Sequence, residues 1–418
     1  TDRHSLTSLL RARIATDLTI LVGGDGMPPI SYGLERLASN VVEDGRATPL
    51  GSFSVSGMHF TFMNSLTRPL WWGENDEAPS ILQLAQIPFM DVLEETSLAS
   101  DYRIHVGSRS DVAAITDSIW TAASIVRGSV DDPEARIHID RDSGAPMTEI
   151  RPDALGRFEL RLPAGRYRAR ILAPGDRNST SEFEITGEAE AVEIPPFRVG
   201  STAWVALPEN FIGRLTFISQ VTGKPAIFGS NLLGQRMGTE AVPSGTEAPF
   251  LSLAASPIDP DRVPIAPGPY RVVAVRGPEY EARALEIEAK LGETTPLEIE
   301  PLGRVAATPG WLSADFHVHS GESFDSSLPQ PKQIVAFAAS GAEVLVATEH
   351  DRVFDPRPTI RATGLETQLV SITGVEVTSS YEGGDSPNAS GHLNAFPFPP
   401  APTADRRGAP TRGGRRVR

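Results

Sequence analysis

Apolar and polar positions alternate most clearly in the middle of the chain. "GRFELRLPAGRYRARILAPG" (156–175) reads as two short strands around a Pro-Ala-Gly turn, because side chains on a strand switch faces at every residue. Ser129 and Val130 open the unit, and "EFEIT" (182–186) and "AVEIP" (191–195) close it. Short strands at this spacing, separated by turn residues, predict a β-sandwich over 126–200. "VPIAPGPYRVVAVRGPEYEARALEIE" (263–288) echoes the same turn, with Pro267, Gly268 and Tyr270 set against Pro163, Gly165 and Tyr167, offset by one residue. This weak internal repeat predicts a second sandwich-like region over 201–305, with an insertion around 228–260.

The period changes from about 306. "ADFHVH" (314–319) reads as a strand, and "PQPKQIVAFAASGA" (329–342) as a helix with Pro331 in its first turn and Gly341 as its stop. "EVLVATEHD" (343–351) is a continuously apolar strand. Strand, helix and strand in this order form a βαβ unit and imply a parallel sheet. "QLVSITGVEVT" (368–378) supplies a third strand and "GHLNAF" (391–396) a fourth. The first 125 residues are β-rich but harder to read: "LTILVGG" (18–24) and "SFSVSGMHFTFMNS" (52–65) are strand-like. Trp71 and Trp72 beside an acidic loop could stack on a sugar ring, although paired Trp at a strand end more often plug a core.

Composition narrows the chemistry. With no cysteine, disulfides, Fe–S clusters and thiolate zinc sites are excluded, so any metal must be held by His, Asp and Glu. A net charge of −15 opposes binding to nucleic acid backbone. No run of 18 or more uncharged apolar residues is present, so no transmembrane helix is expected.

The polar groups of the last hundred residues gather at strand ends. His317 and His319 finish the first strand, Glu349, His350 and Asp351 the second; Glu376 lies near the end of the third, and His392 begins the fourth. Four of the eight histidines of the chain therefore sit where parallel sheets collect ligands.

"DFHVHSGESFDS", "ATEHD", "GVEV" and "GHLNAF", in this order, resemble the first motifs of the PHP (polymerase and histidinol phosphatase) superfamily, most of all its carbaryl-hydrolase-like branch. The first sandwich resembles the carboxypeptidase-regulatory-like module through its "LPAG-x-Y" run. The PHP resemblance covers 306–400 and implies a distorted (β/α) barrel with two or three Zn, Mn or Fe ions. Carried over, His317 and His319 would bind a first metal, Glu376 would bridge two, His392 would bind the second, and Asp325 and His350 would serve a third. Glu376 and His350 would be the catalytic residues, and Asp315 and Asp351 would orient ligand histidines. The implied activity is hydrolysis of a small-molecule phosphoester or of a carboxylic or carbamate ester by metal-bound hydroxide. Arg352 and Arg357 are weak candidates for a phosphate contact.

The family pattern needs further His and Asp residues after "GHLNAF". Instead "APTADRRGAPTRGGRRVR" (401–418) holds six Arg and almost nothing apolar. It reads either as a disordered basic tail or, as preferred here, as a domain cut short or read out of frame, leaving an impaired enzyme. The alternative function is a non-catalytic β-sandwich surface protein that contacts glycans or proteins beside a vestigial barrel. Successive sandwich modules lean towards an exported or envelope location.

Overall fold

The structure is a computed structural model. It describes the strand backbone at 9–10, 18–22, 31–43, 46–49 and 96–104, and residues 105–401 apart from 110, 145, 188–190, 231–246, 324–327 and 379–391. Trp71, Trp72, the 52–65 stretch and the Arg-rich 402–418 lie outside the described residues, as does Asp325.

The first sheet contains β1 (Leu9–Leu10), β2 (Leu18–Val22), β3 (Ser31–Glu43), β4 (Arg46–Pro49) and β5 (Thr96–Gly107). β5 runs antiparallel along the whole of β3, so β2 and β4 share the opposite edge. A short helix, α1 (Ala113–Ile119), leads out of β5 and is tied back to it by a 2.8 Å bond between His105 Nδ1 and Ser118 Oγ.

The first sandwich holds β6 (Ser124–Ser129), β7 (Arg136–Arg141), β8 (Pro146–Ile150), β9 (Arg157–Leu162), β10 (Gly165–Leu172), β11 (Ser179–Ile185) and β12 (Ala191–Glu193). One sheet has the order β11-β10-β7-β8 and the other β12-β6-β9. Alternation decides which side chains fill the space between them. Phe158, Leu160 and Leu162 point inward from β9, and Tyr167, Ala169 and Ile171 from β10, while the residues between them stay outside the shared core.

The second sandwich holds β13 (Ala203–Ala206), β14 (Ile212–Ser219), β17 (Leu251–Ala254), β18 (Arg262–Ile265), β19 (Gly268–Val275), β20 (Arg283–Ala289) and β21 (Thr294–Pro296). A two-stranded ribbon, β15 (Gly229–Ser230) with β16 (Glu247–Ala248), is inserted after β14. Its sheets have the orders β20-β19-β14-β17 and β21-β13-β18. Strand for strand this is the topology of the first sandwich, down to the parallel pairing of the last strand with the first. The structure keeps the glycine and tyrosine pairing read from the sequence. Gly165 and Gly268 each open a strand, and Tyr167 and Tyr270 follow two residues later. Each Tyr hydroxyl donates to the carbonyl four residues back, Pro163 O at 2.5 Å and Ala266 O at 2.8 Å. Glycine and tyrosine therefore align without offset, and it is the prolines that differ by one position.

The last unit begins with β22 (Ala314–Val318), α2 (Gln330–Ala339), β23 (Val344–Ala347), α3 (Arg357–Ala362) and β24 (Val370–Thr373). The strands pair in parallel in the order β22-β23-β24. β25 (Val375–Thr378) and β26 (His392–Ala395) form an antiparallel hairpin. The stretch read as one strand over 368–378 is thus broken at Gly374, and "GHLNAF" pairs antiparallel. The expected (β/α) barrel is corrected accordingly. Among the described residues the parallel sheet has three strands and does not close, and 26 strands stand against three α-helices.

Close backbone contacts join the units. Gly175, at φ +74°, donates to Ile227 O at 2.7 Å and accepts from Ala266 N at 2.8 Å; a Cβ there would lie 2.1 Å from Pro264 O. Ala254 of β17 belongs to the apolar core that includes Val318, Ile334, Leu345 and Ile360. Gly277, at φ +86°, passes so close to α2 that a Cβ would stand 2.2 Å from Ser340 O. Ser256 Oγ donates to Thr363 O at 2.7 Å. The α/β unit is therefore seated on the second sandwich. Among the described residues no helix is long and apolar enough to cross a membrane.

Candidate metal centre

Four histidines converge on one buried carboxylate. His317 Nε2 lies 3.1 Å from Glu376 Oε2, His319 Nε2 2.9 Å, and His350 Nδ1 3.5 Å, while His392 Nδ1 is 2.7 Å from Oε1. The elements explain how these residues meet. β22 carries His317 at its end, with His319 just beyond. His350 follows β23 and forms a parallel bridge with Glu376 of β25. In that bridge Glu376 N donates to Glu349 O at 3.1 Å and Asp351 N to Glu376 O at 2.8 Å. β26 delivers His392 opposite Thr378, two residues along from Glu376.

Neighbouring imidazoles stand 4.6 to 5.1 Å apart, centroid to centroid. His317, His319 and Glu376 offer ligand atoms within 4.8 Å of one another, and so do His350, Glu376 and His392. Glu376, His319 and His350 are sheltered, whereas the His317 and His392 side chains are 52% and 41% exposed, so the centre opens to solvent on that side. Burial pushes the Glu376 carboxyl up, but the bonds and charges of His317, His350, His392 and His319 outweigh it and hold it below its ordinary value.

This donor set fits a divalent transition metal. Four imidazoles and one buried carboxylate present their N and O ligand atoms to a common space. A cation between them satisfies both kinds of donor, and imidazole with carboxylate is borderline N/O ligation suited to Zn, Mn or Fe. Bound there, such an ion would supply a positive charge that ties four chain segments together.

Of the residues singled out in the sequence, His317, His319, His350, Glu376 and His392 are brought together, while Asp325 lies outside the described residues. The hydrogen bond that Asp315 accepts comes from the His317 backbone N–H at 3.1 Å, not from a ring, and Asp351 meets Glu376 through its backbone. Arg352 bonds Glu322 at 2.7 Å and Arg357 bonds Asp355 at 2.8 Å, so both guanidinium groups already hold a carboxylate.

Sequence reasoning left out the support behind the centre. Glu349 is buried; it accepts from Ser320 N at 3.0 Å, Ser320 Oγ at 2.5 Å and Ser323 Oγ at 2.6 Å. Ser323 Oγ in turn accepts the His350 N–H at 3.0 Å. Gln333 Nε2 donates to His319 O, and Val318 N to Thr348 Oγ1 at 3.0 Å. Burial raises the Glu349 carboxyl above its ordinary value, against the lowering effect of the serine bonds. The available signal was a serine pair just after His-x-His together with a carboxylate next to His350.

No family model matches the chain, and no curated protein matches it significantly. Among solved structures, the Bacillus anthracis TIE protein aligns at 11% identity over 67% of this chain, with a TM-score of 0.19. The chain spans about half of that protein's length, 49%. A candidate adhesin from Bacteroides ovatus aligns at 11% identity over 45% of this chain and 94% of its own, with a TM-score of 0.19. The BSP domain of a biofilm-associated protein aligns at 9% identity over 70% of this chain and 68% of its own, with a TM-score of 0.13. Scores this low establish no shared fold. The PHP resemblance is corrected on two findings, the open three-stranded sheet and the lack of a matching family model. The expectation of a hydrolase or phosphoesterase of that superfamily falls with it. What remains is a chain of β-sandwich modules with a His/Glu cluster in the α/β unit seated on the second of them.

Proposed function

We propose that this chain is a non-catalytic, modular β-sandwich binding protein whose α/β unit holds a divalent transition metal. One observation carries the metal reading: the convergence of His317, His319, His350 and His392 on buried Glu376. The binding-module reading draws support from the two sandwiches of identical topology, which make up most of the described chain. The metal's role in this reading is structural. It joins the ends of β22 and β23 to the β25–β26 hairpin, which the parallel sheet does not otherwise pair along its length. Contact with a glycan or protein through the sandwiches, and an exported or envelope location, belong to the same proposal and rest on architecture alone.

The test is reconstitution of the metal-stripped protein with Zn, Mn and Fe in turn. Melting temperature and turnover of an aryl phosphate, an aryl ester and a carbamate are then measured. The expected result is a rise in melting temperature without turnover, and neither effect in a His317→Ala/His319→Ala variant. No stabilisation by any of the three metals would sink the metal reading. Turnover that appears with metal and vanishes in the variant would sink the non-catalytic one.

A further inference from the structure

We infer that Glu349 is the positioning residue of this centre, holding the segment after His319 against His350 so that the two halves of the ligand set meet. The inference rests on the metal reading above and deepens it. His319 and His350 come from different strands, and their rings stand 4.6 Å apart. Where the direct β22–β23 bonding ends, at Val318 and Thr348, the Glu349 carboxylate continues the link between the two segments. Oε1 accepts the Ser320 hydroxyl, and Oε2 accepts both the Ser320 N–H and the Ser323 hydroxyl. Ser320 directly follows His319, and Ser323 Oγ accepts the His350 N–H, so the loop 320–323 is clasped from both sides. On the other strand, Glu349 O accepts the Glu376 N–H. A single residue therefore touches the segments bearing His319, His350 and Glu376. It lies behind the ligand set, with its carboxylate 1% exposed as a residue and its oxygens directed at donors only.

The chemistry requires a carboxylate. Its two oxygens meet three donors, so replacing one oxygen by an amide NH2 turns a donor towards hydroxyl or N–H donors. Glu349→Gln keeps size and shape but should release the clasp. Residues that orient metal ligands in this way change metal affinity by about 10–100-fold when replaced.

The experiment uses the full chain with two readouts. Amide hydrogen exchange on the metal-free protein reads the clasp itself, and Co2+ titration followed by its visible absorption reads the centre. For Glu349→Gln the expected result is lost protection at Ser320 and His350, with the sandwich strands as protected as in wild type. Co2+ affinity should drop by about 10–100-fold with an altered spectrum. Ser323→Ala removes one hydroxyl and should give a smaller drop in the same direction. It serves as the test if Glu349→Gln does not fold. Unchanged protection at Ser320 and His350 overturns the inference, and so does lost protection with unchanged Co2+ affinity and spectrum. If wild type binds no Co2+ while the variants lose local protection, the clasp stands and the metal reading is what fails.

Discussion

Glu149 and His138 lie opposite each other on β8 and β7, and both are buried. Burial pushes the Glu149 carboxyl up to about 7, against the charges of Arg136 and Arg151, whose nitrogens stand 4.0 and 3.9 Å from Oε1. Burial likewise drives the His138 imidazole down to about 3, helped by Arg170 and Arg136. A carboxyl raised on folding holds its proton more tightly in the folded chain. Its contribution to stability is fully present below its ordinary 4.5 and is lost as pH rises through about 7. The depressed imidazole does the reverse: its contribution is present above its ordinary 6.5 and fades as pH falls from there towards about 3. Replacing Glu149 by Gln should therefore stabilise the protein relative to wild type increasingly as pH rises from about 5 to about 8, read from urea midpoints. A difference that stays constant over that range would contradict this assignment. At the His/Glu cluster, the residue scale is also where the sequence was most and least legible. The four histidines and Glu376 of the cluster announced themselves as His and Glu at strand ends. The Ser320, Ser323 and Glu349 clasp did not, because a serine pair after a strand is an ordinary turn until its partner is known.

At the scale of elements, alternation made the sandwich strands readable, since the residues that turn inward from β9, β10 and β19 are apolar. The pairing of Gly165 with Gly268 and of Tyr167 with Tyr270 was legible in the sequence, and the one-residue offset lies in the prolines alone. The aligned feature is Gly-x-Tyr, whose tyrosine hydroxyl pins the turn four residues earlier. Tyr167→Phe and Tyr270→Phe should each cost about 1 kcal/mol, the usual net value of such a bond. Because the two tyrosines belong to separate cores, the double variant should lose the sum of the two within about 0.5 kcal/mol in chemical denaturation. A double variant that loses markedly more would mean that the sandwiches do not behave as independent cores. The break at Gly374 was hidden for a physical reason. An apolar run fixes which residues face inward but not the neighbour they pair with, so parallel β24 and antiparallel β25 read as one strand.

Across the whole molecule, the βαβ pattern correctly announced a parallel sheet but carried no information on closure. Whether such a sheet curls into a barrel depends on how many strands follow. Here the described sheet stays open and leans on the second sandwich. The seat depends on close backbone approach: Gly277→Ala would place a methyl group 2.2 Å from Ser340 O at a left-handed φ. That variant should lose protease resistance in the 306–401 region while the sandwiches keep theirs, as mapped by limited proteolysis. Uniform resistance would show that the α/β unit holds its place without this contact. The same seating presents the β22 and β23 ends to the β25–β26 hairpin, where Glu376 gathers the four histidines.

The most direct measurement is the transition-metal content of the purified full chain and of its His317→Ala/His319→Ala variant, before and after reconstitution. A bound divalent metal in the wild type that is lost in the variant is the predicted result. A wild-type protein that takes up no transition metal even after reconstitution would contradict the assignment of the His/Glu cluster as a metal centre.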